Sequence, residues 1–146
     1  MRATMQSEPE RLTGREHEIM QLVAQGYSDT QIALLLKLPS TTIAGQVRDI
    51  YRKLRATNRL TAAVTYDRRY RSGTAAGIDR SRLDTLSHRD REVLNLILRG
   101  LTDYEIAREM KLEYTTVRHY VRRVCQKLNA RNRIAAAVCY RRMIEE

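Results

Sequence analysis

Displaced by 74 positions, the chain falls on itself: Leu12 to Arg68 aligns with Leu86 to Arg142 without a gap, and 24 of those 57 positions are identical. One supersecondary unit is therefore written twice. Each copy, at about 55 residues, lies near the lower limit at which a single apolar core can stand alone. The chain divides into an N-terminal extension (1–11), a first unit (12–70), a linker (71–85) and a second unit (86–143). The stretch STTIAGQVRDIYRKL, Ser40 to Leu54, returns as YTTVRHYVRRVCQKL, Tyr114 to Leu128, with more arginine the second time.

Each copy reads as four helices. In LTGREHEIMQLVAQG, Ile19, Leu22 and Val23 recur at helical spacing, Thr13 and Glu16 have the spacing of a reciprocal cap, and Gly26 stands where a left-handed stop is wanted. Ser87, Asp90 and Gly100 repeat those roles. Ser28 with Gln31, and Thr102 with Glu105, open two short helices. Pro39 is expected to close the first of them. Longer helices are predicted over about 41–55 and 115–129, and Asn58 and Asn132 can cap a fourth in each copy. No segment alternates as a half-buried strand does, so the fold is all-α.

Composition narrows the function. The chain carries 27 Lys plus Arg against 17 Asp plus Glu, a net charge of +10. Both units share this excess, which suits a polyanionic partner. Cys125 and Cys139 lie 14 residues apart in the second unit, with Tyr51 and Thr65 at the equivalent positions of the first. The unit thus requires neither thiol, and no Cys/His spacing suggests a metal. His17, His88 and His119 form no repeated constellation, so neither catalysis nor a cofactor is expected. MRATMQSEPER has no apolar signal core, and no run reaches the ~18 apolar residues of a membrane span. A soluble cytoplasmic protein associated with the nucleoid is expected.

A short helix, a tight turn and a longer helix fit an ordinary helical bundle as well as the helix-turn-helix arrangement, whose second helix enters the DNA major groove, and the sidedness of the longer helix favours the latter. On the longer helix of the second unit, Val117, Val121, Val124 and Leu128 form one stripe and leave Arg118, His119, Arg122 and Arg123 on the other side. Both copies resemble the LuxR/GerE-type helix-turn-helix domain over nearly their whole length. The resemblance is carried by the opening LTGRE and LSHRD, the glycine stop, the Ile-Ala pair, the Thr-Ile or Thr-Val start, the Lys-Leu end and the Asn-Arg before the last helix. It implies a four-helix DNA-binding unit, a third helix in the major groove, a fourth that often supports dimerisation, and a bacterial transcriptional regulator. That family usually carries the domain once, behind a receiver or ligand-binding domain, and no such sensor is expected here.

Carried over, the family's base-reading positions fall on Ala44, Gly45 and Arg48 in the first unit and on Arg118, His119 and Arg122 in the second. Arginine can bond to both O6 and N7 of guanine, whereas alanine and glycine offer only apolar contact or close backbone approach. The second unit is therefore expected to do most of the reading, with phosphate contact the lesser alternative for Arg118 and Arg122. Gln46 and its counterpart Tyr120 reach a base or a phosphate, or in the case of Tyr120 cover the flank of the bundle. Thr41, Thr42, Thr115 and Thr116 open the reading helices, where hydroxyls and free N–H groups can hold phosphate oxygens. Lys53, Lys127 and Arg52 suit phosphates further along. Glu18 with Arg59, and Glu92 with Arg133, are expected as internal ion pairs.

Fifteen linker residues at up to ~3.3 Å each span ~50 Å, more than the ~34 Å between half-sites one helical turn apart, so both units can reach one double-stranded site. The fourth helices, LTAAVTY and IAAAVCY, could pair within the chain to make a pseudo-dimer or between chains to make a homodimer. The first unit could instead serve contacts with RNA polymerase or another regulator.

Overall fold

The computed structural model describes residues 11–70 and 80–145. Most of the N-terminal extension and linker residues 71–79 lie outside these. The helices are α1 (Gly14–Ala24), α2 (Asp29–Leu36), α3 (Ser40–Leu54) and α4 (Arg59–Tyr70), then α5 (His88–Leu98), α6 (Asp103–Met110), α7 (Tyr114–Lys127) and α8 (Arg133–Ile144). A 3-10 turn, Arg80–Thr85, precedes α5. No strand occurs among the described residues, and two successive four-helix units follow the repeat.

Local chemistry sets the boundaries. Thr13 Oγ1 accepts from the Glu16 amide at 3.1 Å, while Glu16 Oε1 accepts from the Thr13 amide at 2.9 Å. The same reciprocal box starts α2, α5 and α6. Asn58 and Asn132 cap α4 and α8 through their side-chain carbonyls. Gly26 (φ 99°) and Gly100 (φ 90°) sit just beyond α1 and α5, as expected of C-terminal stops. The stop of α2 differs from expectation: Lys37 takes the left-handed conformation, and the Leu38 amide reaches back to Ala33 O at 3.0 Å. Lys111 does the same in the second unit, which has Glu113 where the first has Pro39. The proline is thus the N-cap residue of α3 and not the terminator of α2.

The two cores correspond position for position. The twelve largest fully buried side chains form six pairs 74 residues apart: Ile19/Val93, Met20/Leu94, Val23/Ile97, Ile32/Ile106, Ile43/Val117 and Ile50/Val124. Burying such a side chain contributes about 1.5–3 kcal/mol, so these positions form a substantial part of each small unit's core. Polar clamps complete it. Arg59 donates to Asp29 Oδ1 at 2.8 Å and to Tyr27 O at 2.7 Å, and Arg133 donates to Asp103 Oδ1 at 2.6 Å and to Leu101 O at 3.2 Å. The expected pairing of these arginines with Glu18 and Glu92 is therefore wrong. Glu18 lies 3.5 Å from Arg15, and Glu92 lies 3.5 Å from Arg89, each three residues away on an exposed helix face.

The linker is shorter than the sequence suggests. Arg82 in the 3-10 turn donates to Lys127 O at 3.0 Å, and Arg91 donates to Leu83 O at 2.7 Å, so residues 80–85 are fastened to the second unit. The two units also touch each other. Helix α4 packs on α8, and the contacts of α1 with α8 and of α4 with α5 flank that seam. Thus the fourth helices pair within the chain. Ala62, Ala63, Ala136 and Ala137 are fully buried, which lets the backbones approach.

Candidate nucleic-acid interface

The third helix of each unit stands apart from the other six. Neither α3 nor α7 has a side-chain cap: Pro39 and Glu113 occupy the N-cap positions without a side-chain hydrogen bond. A cap of the kind used elsewhere in this chain is worth about 1 kcal/mol, and its absence leaves amides at the helix start able to bind an anion. The Thr42 amide is taken by Pro39 O at 3.0 Å and the Val117 amide by Glu113 O at 3.0 Å, so the amides before them are those without an intrahelical acceptor.

Sidedness on α7 is as expected. Val117, Val124 and Leu128 are buried and Val121 is half-buried, while Arg118, His119, Arg122 and Arg123 are exposed. Thr115, Thr116, His119, Tyr120 and Arg123 line one recess of about 390 Å³. A hydroxyl pair, an imidazole, a phenol and a guanidinium thus converge beside an uncapped helix start, a donor-rich setting for phosphate oxygens. Tyr120 is half-buried and lies beneath the Arg123 guanidinium, 5.7 Å from ring centroid to Cζ. It supports an arginine as well as covering the bundle.

On α3, Thr41 and Arg48 are exposed, and Thr42, Ala44, Gly45 and Gln46 are half-buried. Asp49 occupies the position of Arg123 and lies 3.9 Å from Arg52, so the corresponding face is much less cationic. Two of the predicted phosphate ligands are engaged otherwise. Lys53 Nζ stands 2.9 Å from Glu16 Oε1, and Lys127 Nζ stands 2.7 Å from Asp90 Oδ2, with both amines largely buried. They fasten the end of each third helix to the capping box of the first. Asp90 is fully buried, and its Oδ1 has no hydrogen bond; Arg123 Nε approaches it at 3.7 Å. Burial pushes the Asp90 carboxyl up, but the Lys127 ammonium and the Ser87 amide and hydroxyl outweigh it and hold it below the usual range. Glu16 is held down by the same balance with Lys53 and Thr13.

Tyr104 and Tyr114 stand outside the residues expected at the site. Their rings stack at 4.2 Å, and the Arg118 guanidinium lies over Tyr114 at 5.9 Å. The signal was available in the repeat, because the first unit has Thr30 and Ser40 at these positions. Tyr114 restrains the arginine placed nearest the helix start. His17 Nδ1 meets the Tyr66 hydroxyl at 3.1 Å and His88 lies 3.6 Å from Glu92. Burial pushes the thiols of Cys125 and Cys139 up. No described helix is long and apolar enough to cross a membrane.

Both units match the family described as bacterial regulatory proteins, luxR family, over residues 10–66 and 84–140. The chain belongs to the luxR family. Among curated relatives of this luxR-family chain, the transcriptional regulatory protein DesR of Bacillus subtilis is 39% identical over 56 residues, 38% of this chain and 28% of DesR. The transcriptional regulator MalT of Vibrio campbellii is 43% identical over 54 residues, 37% of this chain and 6% of MalT. The nitrate/nitrite response regulator protein NarL of Escherichia coli is 35% identical over 63 residues, 43% of this chain and 29% of NarL. The likeness thus spans less than a third of each relative. No solved structure matches the chain.

Proposed function

We propose that this luxR-family chain is a transcription regulator that binds double-stranded DNA in a sequence-specific way, presenting two unequal recognition helices from one polypeptide. The carrying observation is the exposed Arg118, His119, Arg122 and Arg123 face of α7 above a buried valine stripe, at the start of a helix without a side-chain cap. In this reading α7 lies in the major groove, where Arg118 and Arg122 bond to guanine edges and Thr115, Thr116 and the free amides hold a flanking phosphate. Helix α3 follows the same path with Thr41, Thr42, Gln46, Arg48 and Arg52, and lets the backbone come close at Ala44 and Gly45. Its contribution is mainly to affinity. Lys53 and Lys127 take no part, because their carboxylate partners already hold them.

In vitro selection of bound duplexes followed by titration tests this. The expected outcome is a selected site bound at least ~10³-fold more tightly than random duplex at physiological salt, with affinity falling steeply as salt rises. Equal affinity for all duplexes overturns it.

One observation favours a second role for the first unit. Leu34 and Leu35 on α2 are 76% and 55% exposed, whereas the second unit carries Arg108 and Glu109 there. Such an apolar pair fits contact with RNA polymerase or another regulator. Leu34→Ser with Leu35→Ser should then abolish transcriptional control while leaving DNA affinity unchanged; loss of both together counts against it.

A further inference from the structure

The polar contacts described across the seam between the units run in one direction. The second unit supplies the donors: Arg131 Nε to Gln25 O at 3.3 Å, Asn132 Nδ2 to Gly26 O at 2.7 Å, and Arg142 Nε to Asp67 Oδ1 and Oδ2 at 3.0 and 3.1 Å. Arg142 Nη2 adds a further bond to Asp67 Oδ1. The Arg131 guanidinium lies 4.1 Å over the Tyr27 ring. The first unit supplies every acceptor in this set.

The 74-residue equivalence shows what this direction excludes. The seam is built from equivalent places in the two units: Gly26 faces Asn132, and Gly100 has Asn58 and Thr61 as its nearest neighbours from the other unit. At the polar positions the equivalence breaks. Asp67 corresponds to Arg141, Tyr27 to Leu101 and Arg131 to Thr57, while Arg142 corresponds to Arg68. If a second copy of the second unit took the place of the first, Arg142 would face Arg141 where it now meets a carboxylate. Arg131 would lie over a leucine instead of an aromatic ring. Asp67 is only 4% exposed, so this exchange would set a guanidinium against a guanidinium where a nearly buried carboxylate now stands, a repulsive pairing. In the chain as it stands, Arg141 pairs with Glu145 on its own helix.

We propose that the seam is a one-way lock: the α8 face of the second unit accepts a face carrying Asp67 and Tyr27 and refuses a second copy of itself. The chain is then a built-in unequal pair, and α8 is not a homodimerisation surface. The consequence for recognition is a site of two different half-sites in fixed order. That consequence rests on the DNA-binding reading, but the lock does not, and the two are tested by separate measurements.

The test uses the full chain without DNA. Asp67→Arg, Arg142→Asp and the double exchange are compared with the unaltered protein by small-angle X-ray scattering over a range of concentrations, with circular dichroism as a check on helix content. The lock predicts a compact monomer for the unaltered chain, an increased radius of gyration at unchanged helicity for each single variant, and return to the compact value in the double exchange. If Asp67→Arg loses helix, Asp67→Asn, which keeps the volume and removes the charge, is read in its place: a larger radius supports the lock and an unchanged one overturns it. Single variants that stay compact, a double exchange that stays open, or an unaltered chain that dimerises with its units apart also overturn it.

Discussion

Lys127 holds its amine 2.7 Å from the Asp90 carboxylate, and through that contact the end of helix α7 is tied to the capping box that starts α5. Removing the amine strands a buried carboxylate, one of whose oxygens already lacks a hydrogen bond. Lys127→Met should therefore cost about 3 kcal/mol at pH 7, read by chemical denaturation. Acid response gives a sharper test. In the unaltered protein the folded Asp90 carboxyl lies below its unfolded value of about 3.9, so the pair's contribution is complete above that pH and is lost as pH falls through the folded value. In Lys127→Met burial dominates and raises the folded value. Lowering the pH from 7 to 4 should then stabilise the variant relative to the unaltered protein. A parallel decline in both would show that the Lys127 contact does not set the Asp90 titration.

That pair also shows how far the sequence could be read. Lys53 and Lys127 are identical between the copies, and identity in a duplicated cationic helix looked like shared phosphate binding. In the structure it marks shared architecture: the same ammonium answers Glu16 in one unit and Asp90 in the other. The proposed division of reading rests instead on positions where the copies diverge, Ala44/Arg118, Gly45/His119 and Ser40/Tyr114. Helix starts were legible because a cap acts over three residues. The arginine clamps were not, because repetition identifies equivalent positions and says nothing of which carboxylate among several lies within reach. The seam between the units was hidden for a related reason, since its partners, such as Asp67 and Arg142, are not each other's equivalents.

Gly26 and Gly100 are equivalent, yet a methyl group should be felt differently at the two. Both have positive φ, which by itself makes an alanine cost on the order of 1–3 kcal/mol. At Gly26 the added Cβ would also meet Asn132 Oδ1 at 2.8 Å, whereas at Gly100 the nearest atom is Thr61 Cγ2 at 3.7 Å. Gly26→Ala should consequently be the more destabilising, and its excess should shrink in a chain that also carries Asn132→Ala, the remainder belonging to Arg131 Cδ at 3.1 Å. An equal loss for both alanines, measured by thermal unfolding, would mean that the seam does not press on Gly26.

Tyr114 should matter to Arg118 through its ring and not its hydroxyl. The guanidinium sits over a ring that is itself held by the stack on Tyr104, and such a contact restricts the arginine before any partner arrives. Tyr114→Phe is expected to leave discrimination between selected and random duplex unchanged, while Tyr114→Leu reduces it severalfold. If the phenylalanine variant loses as much as the leucine one, the hydroxyl is a direct ligand and the ring's support of Arg118 is secondary.

The proposed unequal division of reading between the units leads to the most demanding comparison. Arg118 and Arg122 are exposed on a helix face with no acidic residue among its outward positions, whereas Arg48 shares its face with Asp49 and the half-buried Ala44 and Gly45. A bidentate contact to guanine is worth about 1–3 kcal/mol of discrimination, so Arg118→Ala with Arg122→Ala should remove most of a ~10³-fold preference. Arg48→Ala should lower affinity for all duplexes alike by a smaller factor and leave their ranking intact. Arg123→Ala should fall between, because that guanidinium is shared with the buried Asp90 oxygen and part of its loss will appear as instability. Measuring each variant on selected and random duplex at two salt concentrations separates the cases: a base contact changes the ratio of the two affinities, and a phosphate contact lowers both and flattens the salt slope. A larger change in that ratio for Arg48→Ala than for the α7 pair would transfer the reading role to the first unit, and with it the meaning of every difference between the copies.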